Sequence, residues 1–166
     1  EKTLTLLERL LEAGYSQETA LKVTNSAMIV ANADEGFSTI DVALIDMDSG
    51  KIKFIKAGAP VSFIKRRNRI EIIKGGSLPV GIMDEIVPKL TERTVRTGDM
   101  VIMVTDGVID AFSETQNGEE ILKKFILETK TTNPQEMAEK ILKKAKEQNS
   151  IRDDMTVLVG SIWEKR

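Results

Sequence analysis

Residues 100–104, Met-Val-Ile-Met-Val, form an unbroken apolar run that passes through Thr105 onto Asp106-Gly107. A half-solvated strand would alternate. A continuous run bounded by turn residues predicts a strand buried on both faces. A second run of this kind, Met155-Thr156-Val157-Leu158-Val159, is opened by Asp153-Asp154. One carboxylate therefore stands where a core strand leaves its sheet, and the other where a core strand enters. If the two strands are antiparallel neighbours, Asp106 and Asp153 share one sheet edge. Carboxylates gathered there repel one another unless a cation lies between them.

Composition narrows the chemistry. The 166 residues include no His and no Cys, which excludes thiol nucleophiles, Ser-His-Asp triads, zinc fingers and disulfides. Oxygen donors remain, and they suit magnesium, manganese or calcium. With 41% hydrophobic residues and a formal charge of −2, the chain has an ordinary globular mix. No apolar stretch approaches membrane-spanning length, and no signal peptide is present. The opening Glu1-Lys2-Thr3-Leu4 runs straight into a helix without an initiator Met, and reads as a piece cut from a longer protein.

Patterning predicts one domain over 1–166. Leu4, Leu7 and Leu11, with Leu6 and Leu10, repeat at helical spacing until Gly14 stops the helix. Ser16 caps a second helix with an apolar stripe at Ala20, Val23, Ala27 and Val30. Residues 32–38 are a turn-rich break. A β region follows: a buried run at 42–45, a turn at Asp46–Gly50, a strand from Ile52, and a hairpin whose tip is Arg66-Arg67-Asn68-Arg69. Two helices come next. The second starts at Asn133-Pro134 with Glu136 completing a capping box, and buries Met137, Ala138, Ile141, Leu142 and Ala145. Helices segregated from hairpins predict an α+β fold, an antiparallel β-sandwich flanked by helix pairs. The run at 65–69 could dock an acidic or phosphorylated partner, but such a run is more often a solvated hairpin tip; it lacks interleaved aromatics, so nucleic-acid binding is not expected.

Asp106-Gly107 and Asp153-Asp154 each also read as plain turns. In combination, with no other catalytic group on offer, they make Asp106 and Asp153 the candidate catalytic and metal-binding residues. Val104-Thr105-Asp106-Gly107-Val108 and Asp153-Asp154-Met155-Thr156-Val157 resemble the last two metal-binding motifs of the metal-dependent serine/threonine phosphatases, the type 2C (PPM) class. The resemblance is closest to its stage II sporulation protein E branch. It extends through Lys56-Ala57-Gly58-Ala59-Pro60, Leu78-Pro79-Val80-Gly81-Ile82 and Asn133-Pro134-Gln135-Glu136-Met137-Ala138, across essentially the whole chain.

That resemblance implies a two-metal center of manganese or magnesium held partly by Asp106 and Asp153. It implies attack of metal-bound hydroxide on phosphoserine or phosphothreonine without a covalent intermediate. Asp154 stands where many relatives have Asn, and is not expected to be a direct ligand. The implied substrate is a phosphorylated anti-anti-sigma factor of a sporulation or stress pathway. The implied location is a cytoplasmic domain, whose parent is membrane-anchored in the resembling sporulation protein. The first two helices, within 3–31, would be regulatory; separately, the Leu-rich first helix is apolar over a wide arc and is either simply buried or partly used in a homodimer. The family's first Asp-Gly motif, which lies before the first long helix, is missing. Neither Asp34 nor Asp41 has its context, so the center and the N-terminal side of the fold are expected to be incomplete, with weak metal binding and little turnover. The competing expectation is a non-catalytic interaction or dimerisation module.

Overall fold

A computed structural model of the chain describes residues 2–31, 36–113, 117–148 and 153–163. Its elements are α1 (Lys2–Glu12), α2 (Gln17–Ala31), β1 (Ile40–Ile45), β2 (Lys51–Ala57), β3 (Ser62–Arg66), β4 (Arg69–Ile73), β5 (Lys89–Thr94), β6 (Met100–Val104), α3 (Asp106–Ala111), α4 (Gly118–Glu128), α5 (Pro134–Lys146) and β7 (Val157–Ser161). Two sheets form, in the orders β1-β2-β5 and β4-β3-β6-β7. The chain divides into two compact units. One comprises Glu1–Ile45, Ile52–Ala59 and Gly75–Glu92; the other comprises Asp46–Lys51, Pro60–Lys74 and Arg93–Arg166. Among the described residues no helix is long and apolar enough to cross a membrane.

In the first unit, α1 ends as its sequence predicts. Gly14 takes φ +84°, a left-handed value that spares a Cβ, and the Tyr15 amide closes back on the Leu10 carbonyl at 3.1 Å. The Ser16 hydroxyl accepts from the Thr19 amide at 3.2 Å, capping α2. The stripe expected on α2 is corrected. Val23 and Val30 are exposed, and the buried face is Ala20, Leu21, Thr24, Asn25 and Met28. Two polar residues can occupy that face because their hydrogen bonds are met internally. The Thr24 hydroxyl donates to the Ala20 carbonyl at 2.8 Å. The Asn25 amide donates to the Met83 carbonyl at 2.9 Å and accepts from the Gly81 amide at 2.8 Å. β1 pairs antiparallel with β2, Ile40 opposite Ala57. As the outer strand of its sheet it is half-buried beyond Ile40, not the fully buried run expected at 42–45. Lys56 is buried and its ammonium meets the Asp41 carboxylate across the same pair. Burial lowers the Lys56 pKa, and the bond to Asp41 opposes that.

In the second unit β6 is the central strand. Met100, Val101, Ile102 and Val104 are all buried, as the unbroken apolar run predicts. β3 and β7 flank it antiparallel, with Phe63 opposite Ile102 and Val104 opposite Val157. Phe63, Met100, Ile102 and Val104 form one core with Leu122 and Ile126 of α4 and Met137, Ile141 and Ala145 of α5. β7 departs from expectation. It is an edge strand whose exposure alternates, with Leu158 largely exposed, because no described strand pairs on its outer side. Lys65 is also corrected: it does not belong to a solvated tip. It is 7% exposed and donates to the Ile126 carbonyl at 2.6 Å and to the Thr129 carbonyl, closing the C-terminal end of α4. Asn133 caps α5 as predicted, accepting from the Gln135 amide at 2.9 Å with Pro134 next in line. The returning half of the capping box is different. The Asn133 amide donates to Thr131 at 3.1 Å, and Glu136 takes the Thr131 hydroxyl instead.

Candidate metal centre

The antiparallel β6–β7 pair decides where the two acidic motifs lie. Its register ends at Val104–Val157. One step further the Thr105 amide donates to the Thr156 carbonyl at 3.1 Å. The Thr105 hydroxyl adds a latch, accepting from the Thr156 amide at 2.9 Å and donating to the Asp154 carbonyl at 3.2 Å. Asp106 and Asp153 therefore leave and enter the same end of one strand pair.

The contact tightens at Gly107. A Cβ placed there would sit 2.5 Å from the Asp154 carbonyl oxygen and 3.1 Å from that of Asp153. Only a residue without a side chain lets these two backbones approach so closely. Asp106 is not a simple turn after the strand, as its Asp-Gly dipeptide suggests. It opens the short helix α3, and its carboxylate accepts from the Gly107 amide at 3.0 Å. The Asp153 carboxylate likewise accepts from the Asp154 amide at 2.7 Å. Each carboxylate is thus held by one backbone amide, and both residues are exposed. Carboxylate oxygens accept several bonds, so capacity for a ligand remains.

The donors at this edge are carboxylates and backbone carbonyls, the set that suits a hard divalent cation. In kind, these residues fit magnesium or manganese. In number, no three acidic side chains converge among the described residues. Asp41 pairs with Lys56 in β1, and Asp34 lies outside the described residues. Sequence reading overlooked Thr105 as a latch. A hydroxyl closing an apolar run is its only signal in the chain.

A model of the family described as stage II sporulation protein E (SpoIIE) matches residues 2–162. The chain belongs to the SpoIIE family. Stage II sporulation protein E of Bacillus subtilis is 34% identical over 163 residues, covering 97% of this chain and 20% of that relative. The chain thus spans about a fifth of the length of that curated SpoIIE relative. A solved structure of the PP2C phosphatase domain and a fragment of the regulatory domain of B. subtilis SpoIIE superposes with TM-score 0.87 at 33% identity, covering 96% of this chain and 49% of that one. A manganese-presoaked crystal of the B. subtilis SpoIIE phosphatase domain superposes with TM-score 0.77 at 32% identity, covering 100% and 74%. The α+β architecture of antiparallel sheets and helices is accordingly that of the PP2C-type, metal-dependent serine/threonine phosphatase domains of the SpoIIE family.

Proposed function

We propose that residues 1–166 act as one domain and supply the Asp106–Asp153 part of a two-metal center that hydrolyses phosphoserine on a small regulatory protein. The observation that carries this reading is the close approach at Gly107, which sets the two acidic motifs backbone to backbone. Asp106 and Asp153 hold divalent cations, manganese or magnesium, through their carboxylates. Bound there, such cations supply an acidified water and neutralise charge on phosphoryl oxygens. The chain's own residues do the positioning. The Thr105 hydroxyl fixes the Asp154 carbonyl, and Gly107 keeps the approach open. The absence of His and Cys excludes phosphohistidine and phosphocysteine intermediates on these 166 residues and agrees with direct attack by water.

Family membership supports a phosphorylated anti-anti-sigma-factor-like protein as substrate, in a cytoplasmic domain whose parent is membrane-anchored. The exposed Val23 and Val30 on α2 support a regulatory or dimer-forming role for the first two helices. The second reading, a phosphatase-like interaction module, has one observation in its favour: no third acidic side chain joins the pair among the described residues.

Manganese-dependent phosphate release from a phosphoserine protein separates the two. These 166 residues alone are expected to release phosphate only slowly, and a protein that joins them to an upstream Asp-Gly motif is expected to turn over readily. Inertness of the longer protein would support the interaction module. Rapid turnover by the 166 residues alone would show that the pair needs no further ligand.

A further inference from the structure

At the other end of β6 from Asp106 the second unit carries a very different surface. Two adjoining concavities of about 630 and 1270 Å3 share Arg67, Thr97, Gly98 and Thr132 in their walls and together make a groove-like surface. β6 is five residues long, which separates this groove from the acidic edge by roughly 16 Å at about 3.3 Å per residue. The larger concavity alone exceeds what a single small ligand needs, since ligand pockets run to about 1000 Å3.

The groove is basic in a chain whose formal charge is −2. Among the described residues its acidic lining groups are Glu71 and Asp99, and each is engaged, Glu71 by Arg93 and Asp99 by Arg66. Four further cations, Arg67, Arg69, Arg96 and Lys130, are exposed along it and make no ion pair among the described residues. Lys65 forms part of its wall. An ammonium has three protons, and the Ile126 and Thr129 carbonyls take two of them, which leaves one donor. Burial and the neighbouring Lys130 both lower the Lys65 pKa, and the negative charge of an anion seated beside it would oppose that shift.

We propose that this groove docks an acidic segment of a partner protein, at a site separate from the Asp106–Asp153 edge. Length and charge select that occupant. An extended carboxylate-bearing segment can span two adjoining concavities, and guanidinium groups pair with carboxylates in bidentate fashion. Among the described residues Trp163 is the only aromatic lining either concavity, too little for base stacking along a nucleic-acid strand. A concave groove also presents its cations poorly to a flat lipid surface. The proposal does not depend on hydrolysis and holds for either reading of the function.

Fluorescence anisotropy of a labelled poly-glutamate peptide with the full chain tests it. Arg67→Glu, Arg69→Glu and Lys130→Glu together are expected to weaken binding by at least about tenfold, mostly through a salt-sensitive on-rate. The charge-matched set Lys124→Glu, Lys143→Glu and Lys146→Glu, on α4 and α5, is expected to change it less than about threefold. Thermal melts of both variants establish that they fold. Equal losses in the two sets would overturn the proposal by showing a response to net charge alone. Failure of the intact chain to bind the peptide at low salt would overturn it too. So would tighter binding of duplex DNA or phosphatidylserine vesicles than of the peptide.

Discussion

Asp106→Asn, in a protein that joins this chain to an upstream Asp-Gly motif, is expected to cut manganese-dependent phosphate release from a phosphoserine protein by at least about a hundredfold. A loss of that size corresponds to about 3 kcal/mol of transition-state stabilisation, within what a bound metal supplies. Asn keeps the size of the side chain and one acceptor oxygen for the Gly107 amide, which the carboxylate now engages at 3.0 Å. What it removes is the charge. Asp153→Asn is expected to behave alike, because its carboxylate also rests on a single backbone amide at 2.7 Å. Asp154→Asn is expected to cost far less, since only the Asp154 backbone enters the contact with Gly107 and Thr105. All three residues are exposed, so melting temperatures should move little. Equal, mild effects from the three substitutions would remove Asp106 and Asp153 from the centre.

Phe63→Ala is expected to destabilise the chain by about 3–5 kcal/mol, read as a shift of the urea midpoint. Phe63 is 0% exposed in β3 and stands opposite Ile102 of β6 and Ile72 of β4. It packs in the core that joins this sheet to Leu122 and Ile126 of α4 and Ile141 of α5. Truncation removes the apolar area and leaves a cavity that close-packed neighbours cannot fill. Domains of this size hold only about 5–15 kcal/mol in all, so the loss is a large share of the total. Leu158→Ala on β7, at 62% exposure, should cost less than about 1 kcal/mol. A Phe63→Ala midpoint no lower than that of Leu158→Ala would contradict the core described for the second unit.

What the sequence made legible follows from which signals are local. The β6 run, the Gly14 stop, the Ser16 cap and the Asn133-Pro134 start each depend on neighbours along the chain, and each appears where it is predicted. Family membership and fold class are legible because the resemblance runs across essentially the whole chain, and the family model matches residues 2–162. Facts of tertiary structure were not legible. The buried face of α2 carries Asn25 because the loop at 81–84 supplies hydrogen-bond partners from far along the chain, and Thr24 because its hydroxyl turns back onto the Ala20 carbonyl. Lys65 belongs to the interior because the end of α4 offers it carbonyls. β7 reads as a core strand by composition and is an edge strand by pairing. Asp106 begins a helix too short to leave a periodic signal.

Paramagnetic broadening is the most direct check on a cation shared by residues 106 and 153. Manganese titrated into the 15N-labelled chain is expected to erase the amide signals of Gly107 and Asp154 together, at the lowest concentration that has any effect, and Asp106→Asn should weaken both losses. Broadening confined to one of these motifs, or appearing first elsewhere in the chain, would mean that the two carboxylates do not hold a common ion.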